Sequence, residues 1–254
     1  MSTRAKDSAR QTRRLFLQAT GMVGIAAMGG RLAFAASAAT TSGASGKMRI
    51  GIIGSGRVGS AIGGAWLKAG NEVMFSSQHL DTDKELAAKL GPNAHAGTPR
   101  EAAAFGTVLL IAVPYTALPG VGKDLGELIK GKIVIDACNP IVARDGDMAV
   151  AAREKGVGLV SMEYLPGARI IRTFNAIQAA KMGDAAGQSA RIGMPLAGDD
   201  ANAISVASTL IRQVGYEPVL VGTLSAMGKY LMPGTPLAGE HSPDEIRTLA
   251  AGLK

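Results

Sequence analysis

From residue 48 onward, short apolar runs alternate with segments whose apolar residues recur at helical spacing. Met48-Arg49-Ile50-Gly51-Ile52-Ile53 is the kind of run that a strand buried on both faces shows. Val58, Ile62, Ala65, Trp66 and Ala69 then fall on one helical stripe that stops at Gly70, a natural helix end, and Glu72–Ser76 reads as a second strand. Thr98-Pro99-Arg100-Glu101 is a capping box with proline at the first helical position, which predicts a helix to Phe105. Thr107–Val113 reads as a strand stopped by Pro114, and Lys132–Ala137 as another stopped by Asn139-Pro140. Leu118, Val121, Leu125, Leu128 and Ile129 line a helix between them, from about Thr116 to Lys130. Arg169–Phe174, Arg191–Ala197 and Glu217–Val221 predict three more strands, and Asp199-Asp200 caps a helix carrying Ile204, Ala207, Leu210 and Ile211. Strands and helices in alternation predict a single α/β domain over residues 48–222, a doubly wound Rossmann-type parallel sheet with right-handed crossovers. Residues 223–254 follow as a tail packing on the domain or on a partner subunit, as in a homodimer.

The first turn carries chemistry. Gly54-Ser55-Gly56-Arg57-Val58-Gly59 has the G-x-G-x-x-G spacing, between a strand and a helix. Gly54 allows the tight turn, Gly56 lets a pyrophosphate approach the backbone, and Gly59 lets helix and strand pack closely, while the helix N-terminus offers unpaired N–H groups to phosphate. The end of the second strand decides which dinucleotide binds. NAD enzymes carry an acid there, whereas this chain has Ser76-Ser77-Gln78-His79, with Arg57 and Lys84 nearby. Absence of a carboxylate at that place favours NADP(H); NAD(H) stays open, as does an ordinary polar strand end.

Ligands of such sheets lie at the carboxyl ends of the strands. Ala112-Val113-Pro114, Cys138-Asn139-Pro140 and Phe174-Asn175-Ala176 all stand there. Asparagine amides both donate and accept, which suits a ribose and a nicotinamide amide, though Asn139 and Asn175 serve equally as structural strand ends. Cys138 reads as a buried, inert thiol. His79 falls at the cofactor, His95 and His241 read as surface residues, and no acid/base arrangement assigns a catalytic residue.

Composition adds two exclusions. A single Cys and three scattered His in 254 residues rule out a disulfide scaffold and show no metal-ligand spacing. The formal net charge of +7 first suggests nucleic acid. Six of the 27 basic residues, however, and only one of the 20 acidic ones precede residue 39, so 21 bases face 19 acids in the rest. That near-neutral body lacks a basic stripe for a phosphate backbone.

The basic start is itself informative. Thr12-Arg13-Arg14-Leu15-Phe16-Leu17, a weakly apolar Ala/Gly-rich run over 19–30, and the small-x-small sites Ala33-Phe34-Ala35 and Ala36-Ser37-Ala38 resemble a twin-arginine export signal over residues 1–38. Residues 39–47 form a Ser/Gly/Thr-rich linker. The expectation is passage through the twin-arginine translocase, cleavage near Ala35 or Ala38, and a periplasmic mature protein, with a cytoplasmic enzyme as the alternative. A permanent membrane span needs about 20 strongly apolar residues, and Arg31 interrupts a run already shorter than that.

Taken together, these stretches and Pro195-Leu196-Ala197-Gly198-Asp199-Asp200 resemble the NADPH-dependent oxidoreductases of the deazaflavin coenzyme F420. The resemblance implies that Ser55 and Ser77 help to hold the NADP 2′-phosphate, and that the segments around Pro114, Asn139 and Asn175 surround the nicotinamide. It also implies hydride transfer to a small-molecule redox acceptor, a deazaflavin or flavin. Two departures bear on this. Gln78 stands where the family usually carries a phosphate-binding Arg, and an export signal is foreign to a cytoplasmic cofactor. A binding module that holds NADP(H) without turnover, as sensor or partner subunit, is the rival reading.

Overall fold

The computed structural model describes residues 46–182 and 192–253. The leader residues 1–38 and most of the linker lie outside them, as does Arg191. The described chain is built from β1 (Arg49–Ile53), α1 (Arg57–Lys68), β2 (Glu72–Ser76), α2 (Leu80–Leu90), β3 (Ala94–Ala96), α3 (Pro99–Phe105), β4 (Val108–Ile111), α4 (Leu118–Ile129) and β5 (Ile133–Asp136). It continues with α5 (Val142–Lys155), α6 (Val157–Tyr164), β6 (Arg169–Thr173), β7 (Gly193–Gly198), α7 (Ala201–Val214), β8 (Glu217–Gly222), α8 (Leu224–Met227) and α9 (Pro243–Ala251).

The eight strands form one sheet in the order β3-β2-β1-β4-β5-β6-β7-β8. The expected parallel sheet holds through β6. There the pattern changes, because β7 pairs antiparallel to β6 through Thr173↔Leu196 before β8 resumes parallel to β7. Hydrophobic alternation cannot report strand direction, so this reversal was not legible.

Helices cover both faces, and the alternation along each strand shows why. Val108 and Leu110 of β4 join Ile133 and Ile135 of β5 in a core shared with Trp66 of α1 and Leu210 of α7. Leu109, Ile111 and Val134 face the other way, onto Leu118, Leu125 and Val160. A third cluster around Val219, Leu231, Leu237 and Ile246 seats the segment after residue 222 on the sheet's far end. The predicted capping box at Thr98 and Glu101 is present, and Asp200 caps α7 by accepting from the Ala203 N–H. Trp66, fully buried, donates its indole N–H to the Leu210 carbonyl at 2.9 Å, tying α1 to α7.

Candidate active site

β1 is flanked by β2 on one side and β4 on the other, so the chain order reverses there and a crevice opens beyond the carboxyl ends. The glycine turn lies in that crevice. The Gly54 and Ser55 N–H groups donate to the Ser76 carbonyl at 2.8 and 3.1 Å, anchoring the turn to the end of β2. Gly54 has φ +102°, and a side chain on it would overlap the Ala112 carbonyl. One on Gly59 would overlap the Gly54 carbonyl, so these two glycines shape the turn. Gly56 differs: a Cβ there meets nothing within 4 Å, because it faces open space. No side chain caps the start of α1 and no acid occupies its first turn. Its first N–H groups are left for an anion, which is the fit a pyrophosphate requires.

A cleft of about 690 Å³ continues from this turn. Gly54, Gly56, Ser77, Gln78, His79, Ala112, Val113 and Pro114 line it, as the sequence predicted, and α4 adds Gly120, Val121 and Leu125. Other expected residues are placed differently. Ser76 is fully buried and its hydroxyl donates to the Ile52 carbonyl at 2.6 Å, so it shapes the turn from behind. Lys84 is absent from the cleft lining and pairs with Asp81 at 3.1 Å on the exposed face of α2. Arg57 is exposed at the start of α1 and makes no ion pair among the described residues.

A second cavity of about 410 Å³ opens at the ends of β5 and β6. Val58, Asn139, Asn175 and Ala176 line it, together with Gln178, Lys181, Gly234 and Glu240. The asparagines are cross-braced: Asn139 Nδ2 donates to the Asn175 carbonyl at 3.0 Å, and Asn175 Nδ2 to the Cys138 carbonyl at 3.2 Å. Asn175 is 1% exposed, yet its Oδ1 has no hydrogen-bond partner. A buried acceptor without a partner costs about 1–3 kcal/mol, so it marks a place where a ligand donor such as a carboxamide N–H₂ fits. The preceding Phe174 holds φ 65°, in the left-handed region that side chains rarely enter.

Behind the asparagines lies a buried ion pair. Asp136 Oδ2 accepts from Arg172 Nη1 and from Ser161 Oγ, each at 2.6 Å, and Asp136 Oδ1 accepts from the Cys138 N–H at 2.8 Å. Arg172 also donates to Asn139 Oδ1 at 3.3 Å and to the carbonyls of Gly228 and Leu231. Asp136 and Arg172 are wholly buried. Cys138 is 1% exposed, and burial pushes its thiol well above the ordinary range, in keeping with an inert side chain. Pro140 is buried, its carbonyl accepting from Arg153 Nε at 2.9 Å. His95 and His241, expected at the surface, are half-buried: His95 packs on Phe105 with ring centroids 5.4 Å apart, and His241 reaches the Ala238 carbonyl at 3.2 Å.

Residues 49–140 match the family model described as NADP oxidoreductase, coenzyme F420-dependent. The match spans β1 to β5 and so takes in the glycine turn and the first cleft. Among solved structures, a hypothetical protein of Sinorhizobium meliloti superposes with a TM-score of 0.67 at 25% identity, over 78% of this chain and 96% of that one. A protein of an Arthrobacter species described as a candidate F420-dependent NADP reductase gives 0.63 at 22% identity, over 72% and 87%. An imine reductase of Myxococcus stipitatus bound to NAD+ gives 0.52 at 18% identity, over 82% of this chain and 60% of that chain. At such identities the last two speak for the Rossmann-type fold. No curated protein matches the chain.

Sequence reasoning missed two groups of residues at this candidate site. Gln178, Lys181 and the 233–240 segment reach the second cavity from some 50 positions apart, with no shared local pattern; Lys181 and Glu240 pair across it at 2.7 Å. The other is Asp83, whose carboxylate receives the hydroxyls of both Ser55 and Ser77. A signal for it existed, since Asp83 lies one helical turn beyond His79, in the first turn of α2.

Proposed function

We propose that the chain is an NADP(H)-binding oxidoreductase that passes hydride between nicotinamide and a planar acceptor, a deazaflavin or flavin. One observation carries this: the start of α1 is shared by both cavities, Gly56 lining the first and Val58 the second, where the unpartnered Asn175 Oδ1 lies. When bound, the dinucleotide supplies the hydride at C4 of its ring. The chain's own part is positional. The glycine turn and the α1 N-terminus bind the pyrophosphate, and Asn175 orients a carboxamide. Reacting atoms must be held about 3–3.5 Å apart, which packed strand ends achieve better than loops.

The test is to mix purified protein with NADPH and, separately, a deazaflavin, FMN, FAD and a quinone, following absorbance of the reduced nicotinamide. Oxidation with at least one acceptor is expected. Tight NADPH binding with no oxidation by any of them would instead support a module that holds NADP(H) as sensor or partner subunit.

We infer further that the mature protein is periplasmic, from Arg13-Arg14 and the Ala-x-Ala sites. Replacing both arginines by lysine keeps the charge and removes the planar guanidinium groups. Uncleaved, folded precursor is then expected in the cytoplasm on fractionation. Undiminished export and cleavage would leave the cytoplasmic alternative.

A further inference from the structure

The adenosine end of the first cleft contains an arrangement that bears on which dinucleotide the chain selects. Asp83 is 1% exposed and makes no ion pair among the described residues. Its two carboxylate oxygens accept one from Ser55 and one from Ser77, the latter at 2.8 Å. Ser77 Oγ in turn accepts the His79 N–H at 3.0 Å. The site on α2 suits a negative charge, because the first turn of a helix carries a partial positive charge.

A hydroxyl has one proton to donate. Both serines have committed theirs to Asp83, so each is left with oxygen lone pairs to offer, and Ser77 lines the cleft itself. A 2′-phosphate is rich in acceptor oxygens and needs donors. A ribose 2′-hydroxyl both donates and accepts, and it matches lone pairs directly. For the phosphate to use either serine, that serine must leave Asp83, and a buried carboxylate then stands uncompensated directly behind a second anion. Charges so placed are weakly screened. The donors that remain at or near this end, Gln78, His79 and, at the start of α1, Arg57, which makes no ion pair among the described residues, are all exposed.

We infer that Asp83 is the specificity-determining residue for the 2′ position. By holding the protons of Ser55 and Ser77 it lowers the affinity for NADPH towards that for NADH, so that the site accepts both. The inference rests on the dinucleotide-binding reading above, and it assigns to a residue outside the strand end the discrimination that an acid on the strand usually supplies. Asp83 works through the two serines and is a positioning residue.

Asparagine at position 83 is the informative change. It keeps the shape, removes the charge, and with one donor and one acceptor group can hold the proton of only one serine, which frees the other to turn to the phosphate. The full chain, Asp83→Asn and Asp83→Ser are titrated with NADPH and with NADH, alongside thermal unfolding. The expected result is that both variants stay folded and that the ratio of NADPH to NADH affinity rises about tenfold or more, chiefly through tighter NADPH binding. If the variants bind but the ratio does not move, or both affinities fall together, the inference is overturned while the dinucleotide reading stands. Loss of fold in both variants assigns Asp83 to the scaffold and overturns it too. Failure of the unaltered chain to bind either dinucleotide sinks the reading beneath it, and the inference with it.

Discussion

Replacing Gly56 by valine is expected to abolish dinucleotide binding while the protein remains folded. An added Cβ at Gly56 meets no protein atom within 4 Å, so the substitution creates no internal clash. Its backbone, at φ −66° and ψ −162°, is open to any residue. The cost to the fold is that of a poor helix cap, about 1 kcal/mol, or a few degrees in Tm. The branched side chain projects into the space beside the α1 N-terminus where a pyrophosphate would lie. Losing two hydrogen bonds to a charged group costs roughly 3–6 kcal/mol, more than about a hundredfold in Kd. Titration with NADPH against the thermal melt separates the two effects. Gly59→Val is the contrast, since its side chain overlaps the Gly54 carbonyl and damage to the fold itself is expected. Unaltered binding by Gly56→Val would mean that the pyrophosphate does not lie at this turn.

The largest effect on stability is expected from Arg172→Ala. Arg172 and Asp136 are both wholly buried, and the guanidinium further bonds Asn139, Gly228 and Leu231. Truncation leaves a carboxylate in the core with only Ser161 and one backbone N–H, and takes the guanidinium from the Leu231 carbonyl and from that of Gly228, which keeps the Leu231 N–H at 3.3 Å. Breaking such a pair from one side costs about 3–5 kcal/mol. A loss of that size in unfolding free energy is expected from urea titration, whereas replacing both partners by apolar residues of matching volume should cost less, since no lone charge remains. A change below about 1 kcal/mol for Arg172→Ala would show that water or relaxation reaches Asp136.

The nucleotide half of the site was legible because its rules are local. Three glycines at fixed spacing, the apolar run before them and the helical stripe after them each follow from backbone sterics or helix geometry; in the structure Gly54 and Gly59 have no room for a side chain, while Gly56 faces open space. Strand-end residues followed from parallel topology alone. What was not legible depends on contacts between distant positions. Asp136 falls inside the expected strand Lys132–Ala137, and only its pairing with Arg172, 36 residues on, explains how a carboxylate is buried there. Asp83 stands outside the strand end where an acid is expected, and the fold brings it to the same place from the first turn of the next helix. The reversal of β7 leaves no mark on hydrophobic alternation, since a buried strand reads alike in both directions.

The segment after Leu231 has a consequence for how the site is assembled. The Gly239 N–H donates to the Ala176 carbonyl at 2.9 Å, Arg172 grips the Gly228 and Leu231 carbonyls, and residues 233–240 wall the second cavity. In chain order the lining of the first cleft ends at Leu125, whereas its neighbour has no outer wall until about residue 240. The second cavity is therefore the last part of the site to be walled, and a chain cut short near residue 230 would lack that wall.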